Sequence, residues 1–189
     1  NSKIVAMALV GAATADQCHF PDPAASFSNK VLLALGMSRQ IQTAGGAFFE
    51  KDCVCTELDY FYDQDNFEVD NICRNKTPSG KTTSAVANLY PEGKDGHFKE
   101  SFSKFAPPVD YTIILLGEHN GEHYSVEYDC SSNVTGTNYC IHFMSRQPTM
   151  SDDLLQYLIG EVNKLELNSQ DLPLQMTMQD GCWPESYLQ

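Results

Sequence analysis

Positive charge is scarce in this chain. Twelve Lys and Arg residues face 25 Asp and Glu across 189 residues, a formal charge of −13 with a pI of about 4.6. A nucleic-acid binder must neutralise phosphates with Lys and Arg, so that class is excluded. Electrostatic docking on an anionic membrane surface is excluded for the same reason. No apolar run reaches the roughly 18 residues of a transmembrane helix. Tryptophan occurs once, at position 183. There is no CxxC pair, HExxH helix, GxSxG elbow, Walker loop or GxGxxG turn. The sequence therefore gives no motif for catalysis, for a cofactor or for a metal, and the chain reads as a non-enzyme.

What the chain does have is aromatic and β-prone sequence. Ten Phe, nine Tyr and an apolar fraction of 42% exclude a disordered acidic chain. At the start, Lys3 precedes an apolar stretch from Ile4 to Ala13, and Ala13-Thr14-Ala15 is an A-x-A site. That is the pattern of a secretory signal peptide over residues 1–15, leaving 16–189 as one domain. Seven cysteines, at 18, 53, 55, 73, 130, 140 and 182, spread along the chain as in a cross-linked secreted domain. Seven is odd, so at least one thiol is free or pairs between chains. Asn75-Lys76-Thr77 and Asn133-Val134-Thr135 are glycan-acceptor triplets in turn-like stretches. Together these features predict a glycoprotein that is secreted and extracellular, or held in another lumen of the secretory route.

Most of the remainder reads as short strands between turns. Val54, Thr56, Leu58, Tyr60 and Tyr62 alternate with Cys55, Glu57, Asp59 and Phe61. Tyr124, Val126 and Tyr128 alternate with Ser125, Glu127 and Asp129, after the hairpin signal Asn120-Gly121. About eight strands at meander spacing result. One helix follows them: Ser151 supplies the N-cap, Asp152 and Asp153 sit at the positive end of the dipole, and Leu154, Leu155, Leu158, Ile159 and Val162 form an apolar stripe.

Eight antiparallel strands are best freed of bare edges by closing into a barrel. The expected fold is all-β: an eight-stranded antiparallel up-and-down β-barrel with one C-terminal α-helix packed outside. A barrel of that size is filled by side chains or holds one small ligand. The residues expected to line it are Val54, Leu58, Tyr60, Tyr62, Phe98, Phe102, Ile113, Leu115, Tyr124, Val126 and Tyr128. Each has a plainer reading as core. His119 and His123 flank the Asn120-Gly121 turn and read as a surface pair. The acid-rich stretch Asp59 to Asp70 lacks the order of an EF-hand and reads as a solvated face.

Several segments resemble the lipocalins, and within them the apolipoprotein D-like branch. Cys55-Thr56-Glu57-Leu58-Asp59-Tyr60 is similar to that branch's second strand, and Tyr124 to Cys130 to its seventh. His142-Phe143-Met144-Ser145-Arg146-Gln147-Pro148 resembles the last strand with its Arg, and Thr177 to Cys182 the closing tail. The family's Gly-x-Trp motif falls at Gly36-Met37-Ser38, where Ser38 replaces the Trp that normally packs under the Arg. The Thr-Asp-Tyr motif is absent.

The resemblance implies Cys18–Cys130 and Cys55–Cys182 bridges. A hairpin would bring Cys53 and Cys73 together, with Cys130–Cys140 as the rival pairing. The resemblance also implies a secreted carrier of a small hydrophobic ligand such as a lipid, sterol or pigment. Two alternatives stand beside it. One is a structural or assembly subunit with a filled barrel, which leaves a protein partner or an intermolecular contact open. The other is a lipocalin-fold enzyme acting on a lipid or carotenoid, with an unpaired Cys53 as its nucleophile.

Overall fold

The computed structural model describes residues 18–37, 39–46, 50–63, 66–133 and 136–184. The leader read at 1–15 and the motif position Ser38 lie outside the described residues. Helix α1 (Asn29–Ala34) precedes eight strands: β1 (Arg39–Gly46), β2 (Cys53–Asp63), β3 (Asn66–Asn75), β4 (Thr82–Pro91), β5 (His97–Ser101), β6 (Val109–His119), β7 (Glu122–Asn133) and β8 (Gly136–Ser145). Helix α2 (Asp152–Lys164) follows. Each strand pairs antiparallel with the next, and β8 pairs back onto β1 to close the barrel. β1 carries Gln40 and Gln42 where an apolar alternation would be expected, and both are buried.

Local chemistry sets the geometry. At the β6–β7 turn Asn120 and Gly121 have φ of 50° and 87°, the left-handed pair that a two-residue hairpin requires. Two bulges then decide which side chains face inward. In β6, Ile113 lies opposite Glu127 and Leu115 opposite Val126, so one extra residue on β6 moves Leu115 to the other face. In β2 the register shifts between Val54 and Glu57, with Cys55 at φ 55°.

The apolar residues separate into an inner and an outer layer. Inside, Leu58, Phe67, Val69, Leu89, Phe98 and Ile113 pack with Leu32 and Met37, which fill the end of the barrel crossed by α1. Arg146 lays its guanidinium over Gly36, where an added Cβ would come within 3.0 Å of it. Outside, α2 buries Leu154, Leu155, Leu158 and Val162 against Tyr124, Val126, Tyr128, Ile141 and Phe143. Ser151 caps α2 through its hydroxyl, which accepts the Leu154 N–H at 3.1 Å.

Three disulfides join Cys18–Cys130, Cys53–Cys73 and Cys55–Cys182, and Cys140 is free. The first and third close loops of 112 and 127 residues. Loops of that length make each bridge worth on the order of 4–5 kcal/mol in the chain-entropy account.

Leu158 is fully buried under α2. Leu158→Ala is expected to cost about 2–5 kcal/mol in urea unfolding, while Gln156→Ala on the exposed side of the same helix stays within about 0.5 kcal/mol.

Candidate functional site: the barrel interior

The lumen has two chemically different levels. The lower level is aromatic. Tyr60 stacks on Phe67 with centroids 5.5 Å apart, Phe67 meets Phe98 edge-on at 5.3 Å, and Phe98 meets Tyr111 at 6.1 Å. Rings tiled in this way contribute through quadrupole geometry as well as burial.

The upper level is acidic. The Tyr60 hydroxyl donates to the Glu127 carboxylate and shares a hydrogen bond with the Tyr111 hydroxyl. His142 Nε2 lies 3.1 Å from Glu50, and its Nδ1 lies 3.9 Å from Asp129. Glu100 is buried, opposite Leu89 of β4 and Val109 of β6. Glu127 is fully buried. One oxygen of Glu127 and one of Asp129 are buried with no hydrogen-bond partner. Cys140, opposite Asp129 in the ladder, joins this level.

Burial and mutual repulsion shape the titration here. Burial, and then Glu127 and Glu50, push Asp129 up to about 7, against the opposing pull of His142. Burial also raises Glu127 and Glu100, the latter well above the usual carboxylate range. Burial alone would lower His142, but the charge and hydrogen bond of Glu50, then Asp129 and Glu127, hold it at about 10. The Cys140 thiol is pushed far up by burial and the nearby acids, which leaves it protonated and a poor nucleophile.

The expected lining residues part company here. Leu58, Tyr60, Phe98 and Ile113 do share the interior cluster. Tyr124, Val126, Tyr128 and Leu115 do not: they pack with α2 on the outside of the barrel. Alternation identifies two faces of β7 but not which one is inner, and the apolar stripe of α2 claims the tyrosine face. Val54 is turned out by the β2 bulge and packs with Cys55, Cys182 and Trp183. Tyr62 is 52% exposed, with its ring edge-on to Phe67. Phe102 is 49% exposed, just beyond the end of β5.

Sequence reasoning passed over Glu127, Asp129, His142 and Glu100. The available signal was the row Ser125, Glu127, Asp129 on the face of β7 that α2 cannot cover.

Other groups resolve as structural. Cys53 is bridged, which removes the nucleophile on which an enzymatic reading rested. His119 and His123 do not meet across their turn; His119 bonds Asp153 at 2.8 Å and His123 lies 3.8 Å from Glu118. On the outer wall, Glu92, His97 and Asp110 bring ligand atoms within 4.8 Å of one another. The Lys99 ammonium already sits among them, bonded to Asp110 and 3.3 Å from Glu92.

Among solved structures, lobster apocrustacyanin A1 aligns over 89% of this chain and 94% of its own, with TM-score 0.60 and 15% identity. Insecticyanin from the tobacco hornworm Manduca sexta aligns over 93% and 90%, with TM-score 0.63 and 13% identity. The siderocalin Ex-FABP aligns over 76% and 94%, with TM-score 0.53 and 10% identity. The chain has the lipocalin fold. At these identities the likeness is one of fold. No family model and no curated protein matches the sequence.

On this lipocalin frame the buried acids make stability pH-dependent. Asp129 holds its proton up to about 7 when folded, against a usual 3.8, and His142 up to about 10, against 6.5. In both windows the folded state binds more protons, so stability falls as pH rises from about 4 to about 10. Asp129→Asn, which removes the buried ionisation, is expected to raise Tm by several degrees at pH 8 and to leave it nearly unchanged at pH 4. Calorimetry across that range checks the slope.

Proposed function

We propose that this chain is a secreted, non-enzymatic lipocalin, of the apolipoprotein D-like branch, that carries a small hydrophobic ligand in its barrel. The observation that carries this reading is the inner wall itself. A closed barrel presents a tiled aromatic surface from Phe67, Phe98 and Tyr111, crowned by hydrogen-bonding groups. Apolar surface removed from water by a guest there is worth about 25 cal/mol per Å², and the polar groups above would orient its other end.

Related architecture supports the reading, since the siderocalin of the same fold is described as functioning through dual ligand specificities. Three long-range or hairpin disulfides support an oxidising compartment. No described helix is long and apolar enough to cross a membrane. Asn75 is exposed beside the β3–β4 turn, where a glycan can be carried; the side chain of Asn133, at the end of β7, lies outside the described residues.

Binding is tested by displacement of an environment-sensitive apolar dye, with a pair of adjacent residues as probe and control. Ala87 is fully buried in the inner cluster and Val86 is 48% exposed on the outer face. Ala87→Leu is expected to weaken dye binding by about tenfold, and Val86→Leu to leave it unchanged. Equal effects, or no dye uptake by the wild-type chain, would contradict a lumenal site.

A further inference from the structure

We propose that the guest carries a protonated amine, and that Glu127 and Asp129 form the subsite that receives it. The inference deepens the carrier reading and rests on it.

Four carboxylates, Glu50, Glu100, Glu127 and Asp129, interact with one another and with His142 at the upper level of the lumen. His142 is the cation they hold, and it engages Glu50 and Asp129 at 3.1 and 3.9 Å. Acid therefore exceeds base in this level, in a place where burying an uncompensated charge is costly.

Glu127 is fully buried, one oxygen is engaged by Tyr60, and the other has no partner. The same holds at Asp129, whose side chain is 14% exposed and whose Oδ1 is unpartnered. Both stand on the inner face of β7, two residues apart. Buried acceptors in want of donors match an ammonium, which offers only donors.

A metal ion fits less well. Among the described residues the only three ligand atoms that converge within 4.8 Å are those of Glu92, His97 and Asp110 on the outer wall. The lumenal acids are too spread to close on one compact ion, but they suit an organic cation whose N–H groups diverge. The Tyr60 hydroxyl holds the Glu127 carboxylate in place, and the Tyr60 ring runs down into the aromatic layer through Phe67, so polar and apolar contacts adjoin. The tiled rings below take the apolar body. The expected ligand class is thus an arylalkylamine or similar amphiphilic amine.

The test uses three probes with one aromatic body: naphthylethylamine, naphthylethanol and naphthylacetate, titrated calorimetrically into the full chain at neutral pH. The expected result is that the amine binds at least about tenfold tighter than the alcohol, and the acetate weakest. In Glu127→Gln and in Asp129→Asn, the amine should lose most of that advantage while the alcohol keeps its affinity, which also reports that the variants fold. Amine and alcohol binding equally well to the wild-type chain would overturn the subsite and leave the carrier reading standing. Acetate binding best would overturn it as well. Failure of all three probes to bind would overturn the carrier reading, and the subsite with it.

Discussion

An amphipathic helix has one face to hide, and the rest of this barrel is arranged around where α2 hides it. Leu154, Leu155, Leu158 and Val162 need an apolar floor, and β7 and β8 supply it with Tyr124, Val126, Tyr128, Ile141 and Phe143. A strand has only two faces. Once the tyrosine face is committed outward, Ser125, Glu127 and Asp129 must point into the lumen, as must His142 and Met144. Glu127 and Asp129, the share that β7 gives to the acidic level, face inward as the consequence of packing a helix on the outside.

The opposing half of the barrel has no such helix and behaves differently. β3 to β5 keep apolar residues inward, among them Phe67, Val69, Leu89 and Phe98, and leave Val86 and Tyr90 on an exposed outer face. The lumen is therefore asymmetric in chemistry: rings from this half meet the β7 carboxylates of the other, with Glu100 of β5 joining the acids from this side. Tyr60 and Tyr111 stand at the seam: the Tyr60 hydroxyl reaches Glu127 and shares a hydrogen bond with that of Tyr111, and both rings join the aromatic layer.

Much of the architecture was legible in the residues. Alternation, turn chemistry and a late helix with a strong cap gave the barrel, its strand count and the place of α2. The lining was legible only in part, and for identifiable reasons. Alternation is blind to the sign of a face, so the apolar and aromatic set Tyr124, Val126 and Tyr128 reads as inner and the charged set beside it as outer. Bulges reset that sign within a strand, which separated Leu115 from Ile113 and Val54 from Leu58. β1 is hidden because its inner positions are Gln40 and Gln42, with the Gln40 side-chain oxygen accepting from the Ser125 hydroxyl. The free state of Cys140 was open until the ladder placed Cys130 and Cys53 with other partners.

The central claim is that one wall of the lumen is acidic because α2 holds the tyrosine face of β7 outside. A crystal structure of the chain purified from its source with its guest retained tests this most directly. The account predicts guest density between the Phe67 and Phe98 rings and the Glu127 and Asp129 carboxylates, with Tyr124 and Tyr128 sealed beneath α2. Tyrosines of β7 lining the cavity with Glu127 in solvent, or a guest bound only on the outer wall, would contradict it.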